Sequence, residues 1–137
     1  MKYVLDINAV SALMRGDPFL IERLRRAEKT SVLLPGPVLA EIAYGIERLP
    51  RSARKRSLRE RFNLVRKEMP RAPWTDEVSA QFGRIKAKLE KQGKRIEDFD
   101  AAIAAHALAE NAVLVTANRE PMARVPGPLV EDWAAVS

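Results

Sequence analysis

Four oxygen-bearing side chains stand where a chain of this pattern could bring them together. Asp6 closes the short apolar run Tyr3-Val4-Leu5, and Asn118 follows the apolar run Ala112-Val113-Leu114-Val115. Glu41 lies inside a helical stretch beside its apolar stripe, and Asp100 stands near the start of an alanine-rich helix. Taken singly, an acid near a helix start is a cap or a partner of the helix dipole, and Glu41 is a solvated helix face. Taken together they offer three carboxylates and an amide, in a chain with no cysteine and one histidine. Hard oxygen donors of this kind select magnesium or manganese over zinc. An ion so held deprotonates a water for attack on a phosphodiester and offsets the charge that builds up in the transition state. The chemistry these residues imply is phosphodiester hydrolysis. His106 has no part in it: six residues after Asp100 it falls on a different face of the helix.

The elements that must position these residues alternate. Apolar runs at Tyr3–Leu5, Ser31–Leu34, Ala112–Val115 and Leu129–Val130 read as short buried strands. The first is expected to run into a loop at Asp6 and Asn8. Helices are expected from Asp17-Pro18 to about Ala27, and after Pro35-Gly36-Pro37 along Val38, Ile42, Gly45 and Leu49. Another spans the basic stretch between Pro50 and Pro70. A fourth follows Thr75, with Asp76 and Glu77 in its first turn and Gly93 as its stop, and the last runs from Asp98 to Glu110. Strands separated by helices predict an α/β fold in three layers, α/β/α, around a parallel sheet of about five strands. The 137 residues fit one domain, with no repeat or linker. In such sheets ligands sit beyond the carboxyl ends of the strands, where Asp6 and Asn118 lie.

Composition narrows the classes further. Absence of cysteine excludes disulfides, thiolate zinc sites and cysteine nucleophiles. No stretch approaches the ~20 apolar residues of a membrane span, and Asp6 interrupts any leader-like start, so a cytoplasmic protein without membrane contact is expected. The formal charge of +6 favours a polyanionic partner.

Val4-Leu5-Asp6-Ile7-Asn8 resembles the opening strand of PIN domains. Asp100-Ala101-Ala102-Ile103-Ala104-Ala105-His106-Ala107 resembles their helix bearing the third acid, and Leu114-Val115-Thr116-Ala117-Asn118 completes the pattern. The tail from Arg124-Val125-Pro126-Gly127 to Glu131-Asp132-Trp133 is similar to the ending of VapC-like toxins, so the resemblance covers nearly the whole chain. It implies a magnesium- or manganese-dependent endoribonuclease, the toxin of a type II toxin-antitoxin pair. It also implies an RNA substrate, a VapB-like antitoxin and a homodimer. Position by position, Asp6, Glu41, Asp100 and Asn118 match the four catalytic positions. Asp6 and Asp100 match the metal ligands, and Glu41 the residue that positions water.

Three departures stand out. Ile7 occupies the place of the usual threonine, Asn118 that of an aspartate, and Pro121-Met122 that of an acid followed by an aromatic. They motivate the alternative of a catalytically weak PIN-like module that binds RNA or protein. Glu120 is a possible stand-in for the missing acid, and Asp98 either caps its helix, as its residue type favours, or joins the acidic cluster. The basic stretch Arg51 to Lys67 either lines an RNA path or keeps the domain soluble. Arg84, Lys88, Lys91, Lys94 and Arg95 lead along the chain toward Asp100 and are better placed to hold phosphates. Trp74 and Trp133 are expected to seal the core edge, and Leu13, Met14 and Leu20 to offer apolar surface for a dimer.

Overall fold

A computed structural model describes residues 1–134. The chain runs β1 (Tyr3–Leu5), α1 (Ile7–Arg15), α2 (Pro18–Arg25), a 3-10 turn (Lys29–Ser31), β2 (Val32–Pro35), α3 (Gly36–Glu47) and α4 (Ala53–Glu68). It continues as β3 (Arg71–Ala72), α5 (Asp76–Lys91), α6 (Asp98–Ala109), β4 (Val113–Val115), α7 (Arg119–Ala123) and β5 (Val130–Glu131). The five strands form one parallel sheet in the order β3-β2-β1-β4-β5, covered by helices in a three-layer α/β/α arrangement. Tyr3 aligns with Val32 on one side and Val113 on the other, and Leu5 aligns with Val115. Asp6 and Thr116 therefore emerge side by side at the carboxyl ends of β1 and β4. The winding direction reverses between these two strands, and at such a reversal the connecting loops part to leave a crevice.

The central strands are apolar on both sides because helices cover both faces. Val4, Leu5, Leu34 and Leu114 are fully buried. Covering a Leu or Val side chain in this way stabilises the fold by about 1.5–3 kcal/mol. Helix α6 buries Ala101, Ala104, Ala105 and Ala107, whose small side chains let its backbone lie close to the sheet. The acid in its first turn is thereby carried to the end of β1.

Local signals account for most boundaries. The Asp17 carboxylate accepts from the N–H groups of Phe19 and Leu20, Ser52 caps α4 through Lys55 N, and Thr75 caps α5 through Val78 N. Three sequence expectations need correction. The chain does not loop after Asp6: Asp6 has extended backbone and is itself the N-cap of α1, which ends at Gly16 with φ 78°. Asp98 does not cap α6, because Glu97 holds the cap position and Asp98 instead pairs with Lys86 Nζ at 3.2 Å. The two-residue strand β3 and the five-residue helix α7 are too short to leave a periodic pattern, and sequence reading passes over both. Leu49 falls beyond the end of α3.

Candidate active site

Asp6 is wholly inaccessible to solvent, an unusual place for a carboxylate, and hydrogen bonds of its backbone N–H and its carboxylate fix its position. Its backbone N–H donates to Val115 O at 2.9 Å, joining the end of β1 to β4. Oδ1 accepts from Ile7 N at 2.7 Å. Oδ2 accepts from Thr116 Oγ1 at 2.6 Å and from Asn8 Nδ2 at 3.5 Å. Thr116 Oγ1 in turn accepts from Asn8 Nδ2 at 3.1 Å and Asn118 N at 2.9 Å, while Asn8 Oδ1 accepts from Ala117 N at 2.8 Å. Burial pushes the Asp6 carboxyl above its ordinary range, and the Thr116, Ile7 and Asn8 donors pull the other way. Burial prevails.

Glu41 comes from α3 and Asp100 from the first turn of α6, two helices in contact. Both are partly buried. Burial raises the Glu41 carboxyl first, and the negative charges of Asp100 and Asp6 raise it further. The Asp100 carboxyl is raised by burial, then by Asp6 and Glu97. The three acids that the sequence singles out therefore share one electrostatic field, in which ionising one makes ionising the next harder. Among the described residues no three His, Cys, Asp or Glu side chains close into a ready cage for a metal. The donor set nonetheless fits a hard cation, since it is all carboxylate and amide oxygen in a crevice that a positive charge would stabilise.

Asn118 is exposed, and it is its main chain rather than its amide that the structure ties to the site, through Thr116. Thr116 and Asn8 are the partners of Asp6 that sequence reading missed. Their signal was available: Asn8 lies two residues past the acid, and Thr116 is the first polar residue past the paired strand. Thr116 also brings a hydroxyl to Asp6, which Ile7 does not.

Beside Asp100 an open cleft of about 410 Å³ is lined by Arg95, Asp98, Pro121 and Arg124 among others. Glu120 does not join the acids, since its carboxylate pairs with Arg124 Nη2 at 3.1 Å. His106 is fully buried, neither ring nitrogen has a hydrogen-bond partner among the described residues, and its imidazole stands edge-on to Trp74 at 5.4 Å. Burial holds its pKa down. Trp74 is 52% exposed, so it does not seal the core, because Ser79 and Phe82 hold it at the surface of α5. Trp133 does seal it, packed on Tyr3 with ring centroids 5.0 Å apart. Leu20 and Met14 are buried within the monomer and do not offer the apolar surface expected of them; Leu13 remains partly exposed.

The chain matches the PIN domain family over residues 3–128. It is 33% identical over 133 residues to Ribonuclease VapC2 of Haemophilus influenzae, covering 97% of this chain and 98% of the relative. To Ribonuclease VapC2 of Rickettsia felis it is 29% identical over 135 residues, with 97% and 98% covered. Its fold superposes with a TM-score of 0.87 on the crystal structure of VapBC2 from Rickettsia felis bound to a DNA fragment from their promoter, at 27% identity and with 97% and 99% of the two chains covered.

Proposed function

The chain belongs to the PIN domain family, and we propose that it is a metal-dependent endoribonuclease, the toxin of a type II toxin-antitoxin pair. The observation that carries the chemistry is the grouping of Asp6, Glu41 and Asp100 near the reversal point of the sheet, close enough for the charges of Asp6 and Asp100 to bear on Glu41. Asp6 and Asp100 would hold magnesium or manganese, which when bound supplies a Lewis acid for the phosphate and an acidified water. Thr116 and Asn8 keep the buried Asp6 carboxylate in one orientation, as outer hydrogen bonds do for metal-ligating carboxylates. Glu41, in the same electrostatic field as Asp6 and Asp100, would position the attacking water and accept its proton. Asn118 joins the site through its main-chain N–H on Thr116 and carries no formal charge, which leaves the site with three carboxylates. Crowded acids also make metal uptake and proton release one event.

The partner that silences such a nuclease is a VapB-like antitoxin, supported by the similarity to the VapBC2 structure. A homodimer acting in the cytoplasm is the form we propose for the free toxin; among the described residues no helix is long and apolar enough to cross a membrane. Incubation of the purified protein with total RNA and magnesium or manganese, then sequencing of new RNA ends, tests the reading. Discrete cuts that vanish with a chelator and with Asp100→Asn establish it. Intact folding and RNA binding without cleavage favour the catalytically weak binding module, to which Ile7 and the uncharged Asn118 lend support.

A further inference from the structure

We infer that a single strand of RNA leaves the acidic site along three cations, Arg95, Arg124 and Lys94, with Arg124 held in place as its central phosphate contact. This rests on the ribonuclease reading and names the path of its substrate. Two open clefts adjoin at Arg124. One, of about 410 Å³, contains Arg95 and Asp100, and the other, of about 440 Å³, contains Lys94. Arg124 lines both of them. It is fixed from both sides: Nη1 donates to Arg95 O at 2.8 Å, and Nη2 donates to Glu120 Oε1 and Oε2 at 3.1 and 3.3 Å.

A guanidinium carries five N–H donors, and these contacts occupy at most three of them. The side chain is still 37% exposed, which leaves it open to a phosphate. A planar cation held in this way loses little freedom when it takes a phosphate, unlike a free surface lysine. Of the acids lining the two clefts, Asp98 is paired with Lys86, Glu120 is paired with Arg124 and offsets part of its charge, and Glu97 and Asp100 stand on the acidic side, so the path depends on Arg95 and Lys94 beside Arg124. The strand must be unpaired where it meets the site. Asp6 is inaccessible and Asp100 partly buried, so the scissile phosphate has to descend into the crevice, which a splayed strand does and a stiff duplex does not.

The test measures affinity for an oligouridylate and for an RNA duplex over a range of salt, with chelator present to prevent cleavage. Wild type is compared with Arg124→Gln, Lys94→Gln and Lys29→Gln, the last removing a charge just before β2, at the opposite end of the sheet. Each lost phosphate contact on a single strand lowers the slope of log K against log salt by about 0.7. Arg124→Gln and Lys94→Gln are expected to show that loss, Lys29→Gln is not, and the duplex is expected to bind more weakly than the oligouridylate. Unchanged slopes for Arg124→Gln and Lys94→Gln overturn the inference, as does a duplex bound at least as tightly. Should Arg124→Gln fail to fold, Lys94→Gln decides alone, since its side chain is exposed. Wild-type cleavage with unchanged slopes removes the path and leaves the ribonuclease reading intact; lost slopes without any cleavage do the reverse.

Discussion

Among the described residues two titratable side chains, Asp6 and His106, are wholly buried, and their surroundings are opposite. Asp6, at the end of β1, is met by a backbone N–H, a hydroxyl and an amide. His106, in the middle of α6, meets no hydrogen-bond partner among the described residues and stands against the edge of Trp74. A buried polar group without partners costs about 1–3 kcal/mol, and a buried charge costs more. The fold has spent many donors on Asp6 and none on His106. The difference separates a carboxyl held in one orientation by its donors from a ring packed in its neutral form.

The sharpest way to break this comparison is to neutralise the acids. Glu41→Gln is expected to slow RNA cleavage by about 10²–10⁴-fold, the range of a lost general base, and Asp100→Asn to abolish it. Yet both variants are expected to melt at a higher temperature than wild type when metal is absent. The sign follows from the raised pKa values: the unfolded carboxyls ionise at lower pH than the folded ones, so stability is greatest below the unfolded values of 4.5 for Glu41 and 3.8 for Asp100 and falls as pH rises through the folded ones. At neutral pH the acids therefore destabilise the metal-free fold. Magnesium is expected to reverse this in wild type, by about 2.7 kcal/mol at a hundredfold excess over Kd, and to leave Asp100→Asn unmoved. Melting curves with and without magnesium, run beside the cleavage assay, check both halves; an Asp100→Asn that melts lower than metal-free wild type would contradict the shared-field account.

A smaller effect is expected at Thr116. Thr116→Val keeps the shape but removes the hydroxyl that donates to Asp6 and accepts from Asn8 and Asn118. Loss of such an outer hydrogen bond typically costs 10–100-fold in metal affinity or activity. His106→Leu, matched in burial, is expected to leave cleavage unchanged and neutral-pH stability within about 1.5 kcal/mol of wild type. Equal losses in the two variants would show that burial alone, not hydrogen bonding, sets the role.

How much of this was legible in the sequence differs between the two places as well. The layered α/β fold and the strands β1, β2, β4 and β5 follow from apolar runs and caps, because those patterns are local, whereas the grouping of Asp6, Glu41 and Asp100 comes from their shared donor chemistry and the resemblance to PIN domains. The Asp6 network is not local: Thr116 is 110 positions away in the chain and reaches Asp6 only through the pairing of Leu5 with Val115. Helix α1 was missed because Asp6 serves as strand end and helix cap at once, leaving no loop between the two patterns. Trp74 and Leu20 went wrong for a related reason, since exposure depends on which neighbouring helix covers a residue and not on its own spacing.

The finest test concerns pH. Burial depresses the pKa of His106 below 6.5, with Glu110 acting weakly in the other direction. A depressed imidazole binds its proton more readily in the unfolded chain than in the folded one. Its contribution is therefore constant above the unfolded pKa of 6.5, and stability falls as pH drops from there toward the folded value. The carboxylates push the other way over the acidic range, so wild type alone cannot separate the two. Glu41→Gln removes part of the carboxylate trend, and in that background the fall of stability below pH 6.5 is expected to stand out. Adding His106→Leu is expected to flatten it. Denaturant melts of the single and double variants between neutral and mildly acidic pH measure the slope, and an unaltered slope in the double variant would mean that the imidazole opens to water before it is protonated.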